Sequence, residues 1–287
     1  MEIDFRELRR KERAVASVGV CDDASNKSKP ESDGAAGESA LSSRDAAAAT
    51  KTRNSDVLDR TTLPTPFETE LPQNALNDDA HLVSRGSLKT VYYAERFLKQ
   101  AQGQDILTWL EALPSGGNSN DRVATQNGMW TEMVHANRRV AMFDSTISPL
   151  PDLLARLCST IVSVGAFNPS RPPNHVLVNE YRPGQGIMPH TDGPAYDSAT
   201  ATISLGGSDV IFKLWPRPHD DGEARRLTEP TLELEVVLHG NGSLVVFTGD
   251  AYINHMHSID EVLEETTSMG TKITRGYRIS LTFRHKK

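Results

Sequence analysis

The apolar positions of this chain change period once. Between residues 97 and 164 they recur at helical spacing. Ile106, Leu107, Leu110 and Leu113 share one face of a predicted helix from Phe97 to Leu113, and Leu153, Leu154, Leu157, Ile161 and Val164 form a stripe over Leu150 to Val164. Breakers close both: Pro114 with Gly116-Gly117 after the first, Gly165 and Pro169 after the second. Ahead of them Leu88 to Tyr93, rich in β-branched and aromatic residues, predicts a strand. After residue 170 the period falls to two. Residues 174–181, 200–205, 210–215, 232–238, 243–247 and 278–283 are short runs of strand pattern separated by Gly, Pro, Asn and Asp. Two helices followed by such a series predict a mainly β, α+β domain, a sandwich or jelly roll with the helices buttressing one side.

Residues 1–80 do not share this patterning. They are rich in Ala, Ser, Asp and Asn and poor in aromatics, a composition that buries too little surface to offset ordering entropy, so a disordered low-complexity tail is expected there and one domain over 81–287. Within the tail, Glu2 to Ala14 has alternating charge at helical spacing but too few apolar residues to dock, and Ala46 to Ala49 suggests no function. The formal charge of −7 is uneven: residues 1–80 hold 16 acidic against 11 basic side chains, which leaves the expected domain at −2. A near-neutral domain argues against a broad basic surface for duplex nucleic acid while leaving room for a local basic groove. Two cysteines, Cys21 and Cys158, make neither a disulfide framework nor a cysteine zinc site. With no apolar leader at the start and no run of about 18 apolar residues, the expectation is a cytoplasmic or nuclear protein with no membrane partner. Arg9-Arg10-Lys11-Glu12-Arg13 is a weak localisation cluster.

The candidate chemistry centres on His190-Thr191-Asp192, with histidines downstream at His255 and His257. Two imidazoles and a carboxylate suit a mid-row divalent metal and leave coordination positions open. Residues i and i+2 of a strand point the same way, so a strand would let His190 and Asp192 grip one ion. Alone the tripeptide is a weak signal; its surroundings strengthen it. Asn179 and Tyr181 place polar groups on one face of the preceding strand, and a Pro183-Gly184 turn leads back to the histidine. Near the C-terminus Arg278, Ser280, Thr282 and Arg284 share parity on one strand, which a packing strand does not explain.

These residues resemble the AlkB-type dioxygenases, which carry Asn-x-Tyr, His-x-Asp, a distal His and Arg-x5-Arg in this order. The similarity spans roughly residues 88–287 and is most specific over 174–206 and 275–284, where one branch found in animals and plants is especially close. The resemblance implies a double-stranded β-helix, a jelly roll with helices on one side. It implies Fe(II) as the metal, with His190, Asp192 and His257 as ligands; strand alternation cannot separate His255 from His257, but in the family the ligand is followed by a small residue and then Ile, as His257 is. It further implies 2-oxoglutarate and O2 as cosubstrates. Asn179, Tyr181 and Arg278 match the 2-oxoglutarate contacts, Ser280 adds a hydrogen bond, and Arg284 matches a second arginine between cosubstrate and substrate base.

The implied reaction is oxidative demethylation of an alkylated base of DNA or RNA, released as formaldehyde, by a monomer. The base must leave its stack to reach the metal. The segment Met129 to Arg139 lies where the family has its nucleotide-recognition lid, which makes Trp130, Arg138 and Arg139 candidate base-stacking and phosphate contacts; as a plain surface loop it would tuck Trp130 into the core. Pro216 to Pro230 is expected to be a long hairpin insertion at the rim. The same chemistry on a protein side chain or small molecule, and a metal-holding module without catalysis, are the alternatives. Three ligands rather than four, and an arginine with nothing to meet, count against a structural metal.

Overall fold

Strands that alternate in polarity need a partner on each face, and two stacked sheets with helices outside supply both. The computed structural model describes residues 65–77, 79–83, 88–116, 127–133, 138–218 and 231–287. The strands are β1 (Val91–Ala94), β2 (Trp130–Met133), β3 (Arg138–Asp144), β4 (His175–Tyr181), β5 (Ile187–His190), β6 (Ala199–Leu205), β7 (Val210–Pro216), β8 (Leu234–Leu238), β9 (Ser243–Thr248), β10 (His255–Ile259), β11 (Glu264–Thr266), β12 (Lys272–Thr274) and β13 (Arg278–Arg284). The α-helices are α1 (Gln100–Glu111), α2 (Asp152–Ser163) and the short α3 (Gly249–Ile253). One sheet runs β1-β9-β6-β13-β4-β3-β2 and the other β5-β10-β7-β8, with β11 and β12 as a separate hairpin. The pairings within them are antiparallel. This is the expected jelly roll with helices on one side.

The alternation decides which face each residue takes. On β13, Ile279, Leu281 and Phe283 join Val176 and Val178 of β4 in a core beneath Ile106 and Leu110 of α1 and Leu154, Leu157 and Ile161 of α2. Cys158 lies in the same core, and burial pushes its thiol up to about 12, as befits a packing residue. Between the sheets a second cluster, with Val210, Phe212 and Leu214 of β7 against Val245 and Phe247 of β9, fills only one end of the space. The other end, under β6, β13 and β4, is polar.

The six strands expected from alternation lie within two residues of those observed. The segment Met129 to Arg139, expected as lid or loop, instead contains β2 and the start of β3, and residues 134–137 of it lie outside the described residues. So do residues 219–230 of the expected insertion and the expected tail as far as residue 64.

The tail expected over 1–80 includes residues that are packed. Phe67 N donates to Thr160 Oγ1 at 2.8 Å, Asn74 N to Ser163 O at 2.8 Å and Leu76 N to Val164 O at 3.0 Å, which stitches the segment along α2 and its C-terminal end. Ala75 and Leu76 are buried, and the Arg156 guanidinium lies 4.0 Å from the centre of the Phe67 ring. Composition averaged over 80 residues conceals a few well-placed apolar groups. A chain beginning at residue 81 is therefore expected to melt below one beginning at residue 65. Loss of Leu76 packing alone is worth about 2–4 kcal/mol, or roughly 4–16 °C for a domain of this size. Equal melting temperatures in calorimetry would show the segment to be dispensable.

Candidate metal centre

β5 ends at His190, and His257 of β10 stands directly across from it in register. Gly186 permits this approach: a Cβ there would lie 2.3 Å from Ile259 O and 2.7 Å from Asp260 O. Nδ1 of His190 lies 2.9 Å from Met188 O. A carbonyl only accepts, so Nδ1 carries the proton and Nε2 keeps its lone pair.

Asp192 is not on the strand with His190, as the spacing had suggested. β5 stops at His190, and Gly193, at φ +81°, turns the chain immediately afterwards. Tertiary contacts place the carboxylate instead. Thr200 of β6 donates Oγ1–H to its Oδ2 at 2.6 Å, and Arg284 of β13 donates to its Oδ1 at 2.5 Å. Tyr252 of α3 pins the following loop by donating to Gly193 O at 2.8 Å.

The result is a cluster in which one ligand atom from each of His190, Asp192 and His257 lies within 4.8 Å of the others. The two imidazole centroids are 4.2 Å apart and His257 Nε2 is 4.0 Å from Asp192 Oδ1. Phe247 and Phe212, with centroids 4.9 and 5.6 Å from that of His257, wall the ring on its apolar side. Burial lowers the pKa of His190, and burial together with the charge of His190 brings His257 down to about 3. Burial works against ionisation of Asp192, but Arg284 and the two imidazoles outweigh it and hold the carboxyl well below its ordinary value. At neutral pH two lone pairs and one carboxylate thus converge, the protonation state that binds a divalent cation. Two nitrogens and an oxygen are a donor set that fits Fe(II).

Beyond the triad, Arg278 is 2% exposed. Its Nε donates to Ser204 Oγ at 2.8 Å, and its Cζ lies 5.3 Å from the centre of the Tyr181 ring. Burial pushes its pKa down to about 10, and among the described residues it makes no ion pair. Asn179 and Ser280, paired in register across β4 and β13, are also buried on this face. The residues singled out on β4 and β13 thus share one face of the sheet, the face from which Arg284 reaches Asp192.

The expected substrate contacts fare differently. Trp130 is 3% exposed, pairs with Ala141 on the helix side of the sheet, and donates Nε1–H to Leu110 O at 3.0 Å. It is a core residue, as the loop alternative had it, and has no face to offer a base. Arg139 follows the same parity. It is ion-paired with Glu180, which also accepts from Tyr277 OH at 2.9 Å, and its Cζ lies 4.5 Å from the centre of the Trp130 ring. Adjacent strand residues point to opposite faces, so Arg138 alone of the two turns toward the triad. Its Nε donates to Asn179 Oδ1 at 3.1 Å. His255 stays out of the cluster: Nε2 meets Glu233 Oε2 at 2.9 Å and Nδ1 meets Asp250 O at 3.1 Å.

Thr200 and Ser204, which hold Asp192 and Arg278, were absent from the sequence-based site. The alternation of Thr200, Thr202 and Ser204 with Ala201, Ile203 and Leu205 was the available signal, because it matches the polar parity of β13.

The chain is similar to known proteins. The 2OG-Fe(II) oxygenase superfamily model matches residues 90–284. A zebrafish (Danio rerio) protein named "Probable RNA/DNA demethylase ALKBH6" is 30% identical over 68% of this chain and 85% of its own length. A Caulobacter vibrioides protein named as an alpha-ketoglutarate-dependent dioxygenase AlkB homolog is 27% identical over 55% of this chain and 64% of its own. Among solved structures, OsALKBH1 aligns at 15% identity with a TM-score of 0.45, over 68% of this chain and 97% of that one. The chain belongs to the 2OG-Fe(II) oxygenase superfamily, whose members use Fe(II), 2-oxoglutarate and O2.

Proposed function

We propose that this oxygenase demethylates alkylated bases of DNA or RNA, holding Fe(II) with His190, Asp192 and His257 and receiving 2-oxoglutarate at Asn179, Tyr181, Arg278 and Ser280. The buried Arg278 carries the cosubstrate assignment. A guanidinium removed from water without an anion is costly, and a dicarboxylic acid bound beside the triad would supply one, a carboxylate being the planar group that an arginine fork recognises. Arg284 belongs to the metal end: bound to Asp192 Oδ1, it orients the carboxylate and balances its charge.

Iron bound at the triad supplies the O2 activation that couples decarboxylation of 2-oxoglutarate, giving succinate and CO2, to insertion of an oxygen atom into a C–H bond of the N-methyl group. The chain's own part is to hold the donors in their neutral and anionic forms, fix the cosubstrate and exclude water. Two observations support a nucleic acid substrate. The zebrafish relative is named for that activity, and a 420 Å³ cavity beside the end of β4 is lined by three arginines, Arg138, Arg139 and Arg182, against two glutamates, Glu132 and Glu180; Arg138 is turned to Asn179 and Arg139 to Glu180, which leaves Arg182 as the rim cation for a phosphate. Among the described residues no helix is long and apolar enough to cross a membrane.

Three outcomes are expected. His190→Ala and Asp192→Ala both abolish the optical absorption of the iron–oxoglutarate complex, but their stabilities diverge. Asp192→Ala strands the buried Arg284 and is expected to cost about 3–5 kcal/mol of folding free energy, whereas His190→Ala removes a group whose loss strands no charge. Undiminished absorption in both variants would remove the triad, and equal melting temperatures would remove the Arg284 role.

Arg278→Lys keeps a charge but loses the fork, and is expected to weaken 2-oxoglutarate binding by about 1–3 kcal/mol, roughly five- to hundredfold. Metal affinity without cosubstrate should stay level. Calorimetry on the metal-loaded variant decides this; wild-type affinity for 2-oxoglutarate would dismiss the assignment.

The substrate class is tested by succinate release with and without a panel of methylated DNA and RNA oligonucleotides. Stimulation with formaldehyde release is expected from at least one. Turnover indifferent to every oligonucleotide would move the target to a protein side chain or small molecule.

A further inference from the structure

Arg138 matched, on sequence, a phosphate contact of the nucleic acid, but its observed partner lies inward. Its register partner across β2 and β3 is Met133, and the neighbouring Val140–Asn179 pairing puts residues of its parity on the triad face of the sheet. There its Nε–H meets Oδ1 of Asn179 at 3.1 Å. Its Cζ also lies 5.8 Å from the centre of the Tyr181 ring, against which Arg278 packs at 5.3 Å. One arginine thus touches both residues of the Asn-x-Tyr pair.

The chemistry of that contact constrains Asn179. A carboxamide has two orientations of nearly the same shape, one placing oxygen and the other nitrogen at a given point. A guanidinium donates and never accepts, so an amide beside Nε of Arg138 must turn its oxygen that way. The oxygen then faces Arg138, and the end of Asn179 that points away from it is the Nδ2 amino group, a donor. Beside Arg278, also donor only, this makes a site matched to carboxylate and keto oxygens. Without Arg138 the amide is free to flip and present an oxygen to an anion.

We propose that Arg138 is a positioning residue for the cosubstrate, locking the Asn179 amide so that its N–H groups face 2-oxoglutarate. The proposal rests on Asn179 as a cosubstrate contact. It gives Arg138 a role through Asn179 in place of the direct phosphate contact that the sequence suggests.

A double-mutant cycle separates these roles, with 2-oxoglutarate affinity measured by calorimetry on the full-length, Mn(II)-loaded protein. Asn179→Ala and Arg138→Met should each weaken binding, by about fivefold for the loss of one hydrogen bond's worth of free energy. The double variant should be no weaker than Asn179→Ala, because the arginine then has no amide to orient. Arg138→Lys, which still offers a donor to Oδ1, should recover part of the loss; a variant that merely disturbed the fold would not be rescued in this way. Multiplying losses in the double variant would overturn the proposal by showing a direct contact. Wild-type affinity in Arg138→Met with a loss in Asn179→Ala would overturn it while leaving the cosubstrate site intact. Wild-type affinity in Asn179→Ala would overturn the assignment of Asn179, and the proposal with it.

Discussion

Two guanidinium groups held between the sheets by one strand are the constraint around which the rest of the site is arranged. β13 lies fourth of seven in its sheet, all seven of its residues are buried, and its parity sends Ile279, Leu281 and Phe283 to the helices and Arg278, Ser280, Thr282 and Arg284 to the interior. Burying a charge costs several kcal/mol unless it is compensated. Arg284 is compensated within the protein by Asp192, at 2.5 Å. Arg278 has a hydroxyl, Ser204, and an aromatic ring, Tyr181, which are weaker compensation. The two ends of one strand face therefore differ: one guanidinium is paired with the carboxylate of the triad, and the other has no carboxylate beside it among the described residues.

That polarity also explains why the space between the sheets is filled unevenly. Apolar residues of β1, β7, β8 and β9 close one side, with Phe212 and Phe247 reaching His257. The remaining side is lined from β4, β6 and β13 by amide, hydroxyl and guanidinium groups. Such groups tolerate removal from water when they have partners, and several here have them, Thr200 with Asp192, Ser204 with Arg278 and Arg138 with Asn179, although Arg284 Nε and His175 Nδ1 are buried without a hydrogen-bond partner. Each pair fixes the orientation of a polar group on this face of the sheet.

The helix side of the sheet is organised with comparable economy. Glu180, one residue from Asn179 and on the opposite face, gathers Arg139 and Tyr277, while Arg139 packs on Trp130. These charged and aromatic residues belong to the scaffold that holds β3 against β4.

Much of this was legible from the chain alone. Alternation in residues 278–284 and 200–205 set the strands and their polar faces, because side chains on a pleated strand alternate whatever the fold around them, and the His-x-Asp pair with the distal His257 marked the three ligand groups that converge. Sequence could not decide matters that depend on which element lies opposite. The spacing of His190 and Asp192 suggested a shared strand, but β5 stops at His190, and the carboxylate is placed by Thr200 and Arg284 from strands 8 and 92 residues away. Arg138, Arg139 and Trp130 looked equivalent in a segment of undetermined structure. Once that segment is two strands, pairing Trp130 with Ala141 and Val140 with Asn179 sends two of them to the core side and one to the site. Phe67, Ala75 and Leu76 were lost in a polar average and recovered only because α2 offers them a surface. Local pattern determines the face of a strand; only the packed tertiary structure supplies the neighbour that gives that face its meaning.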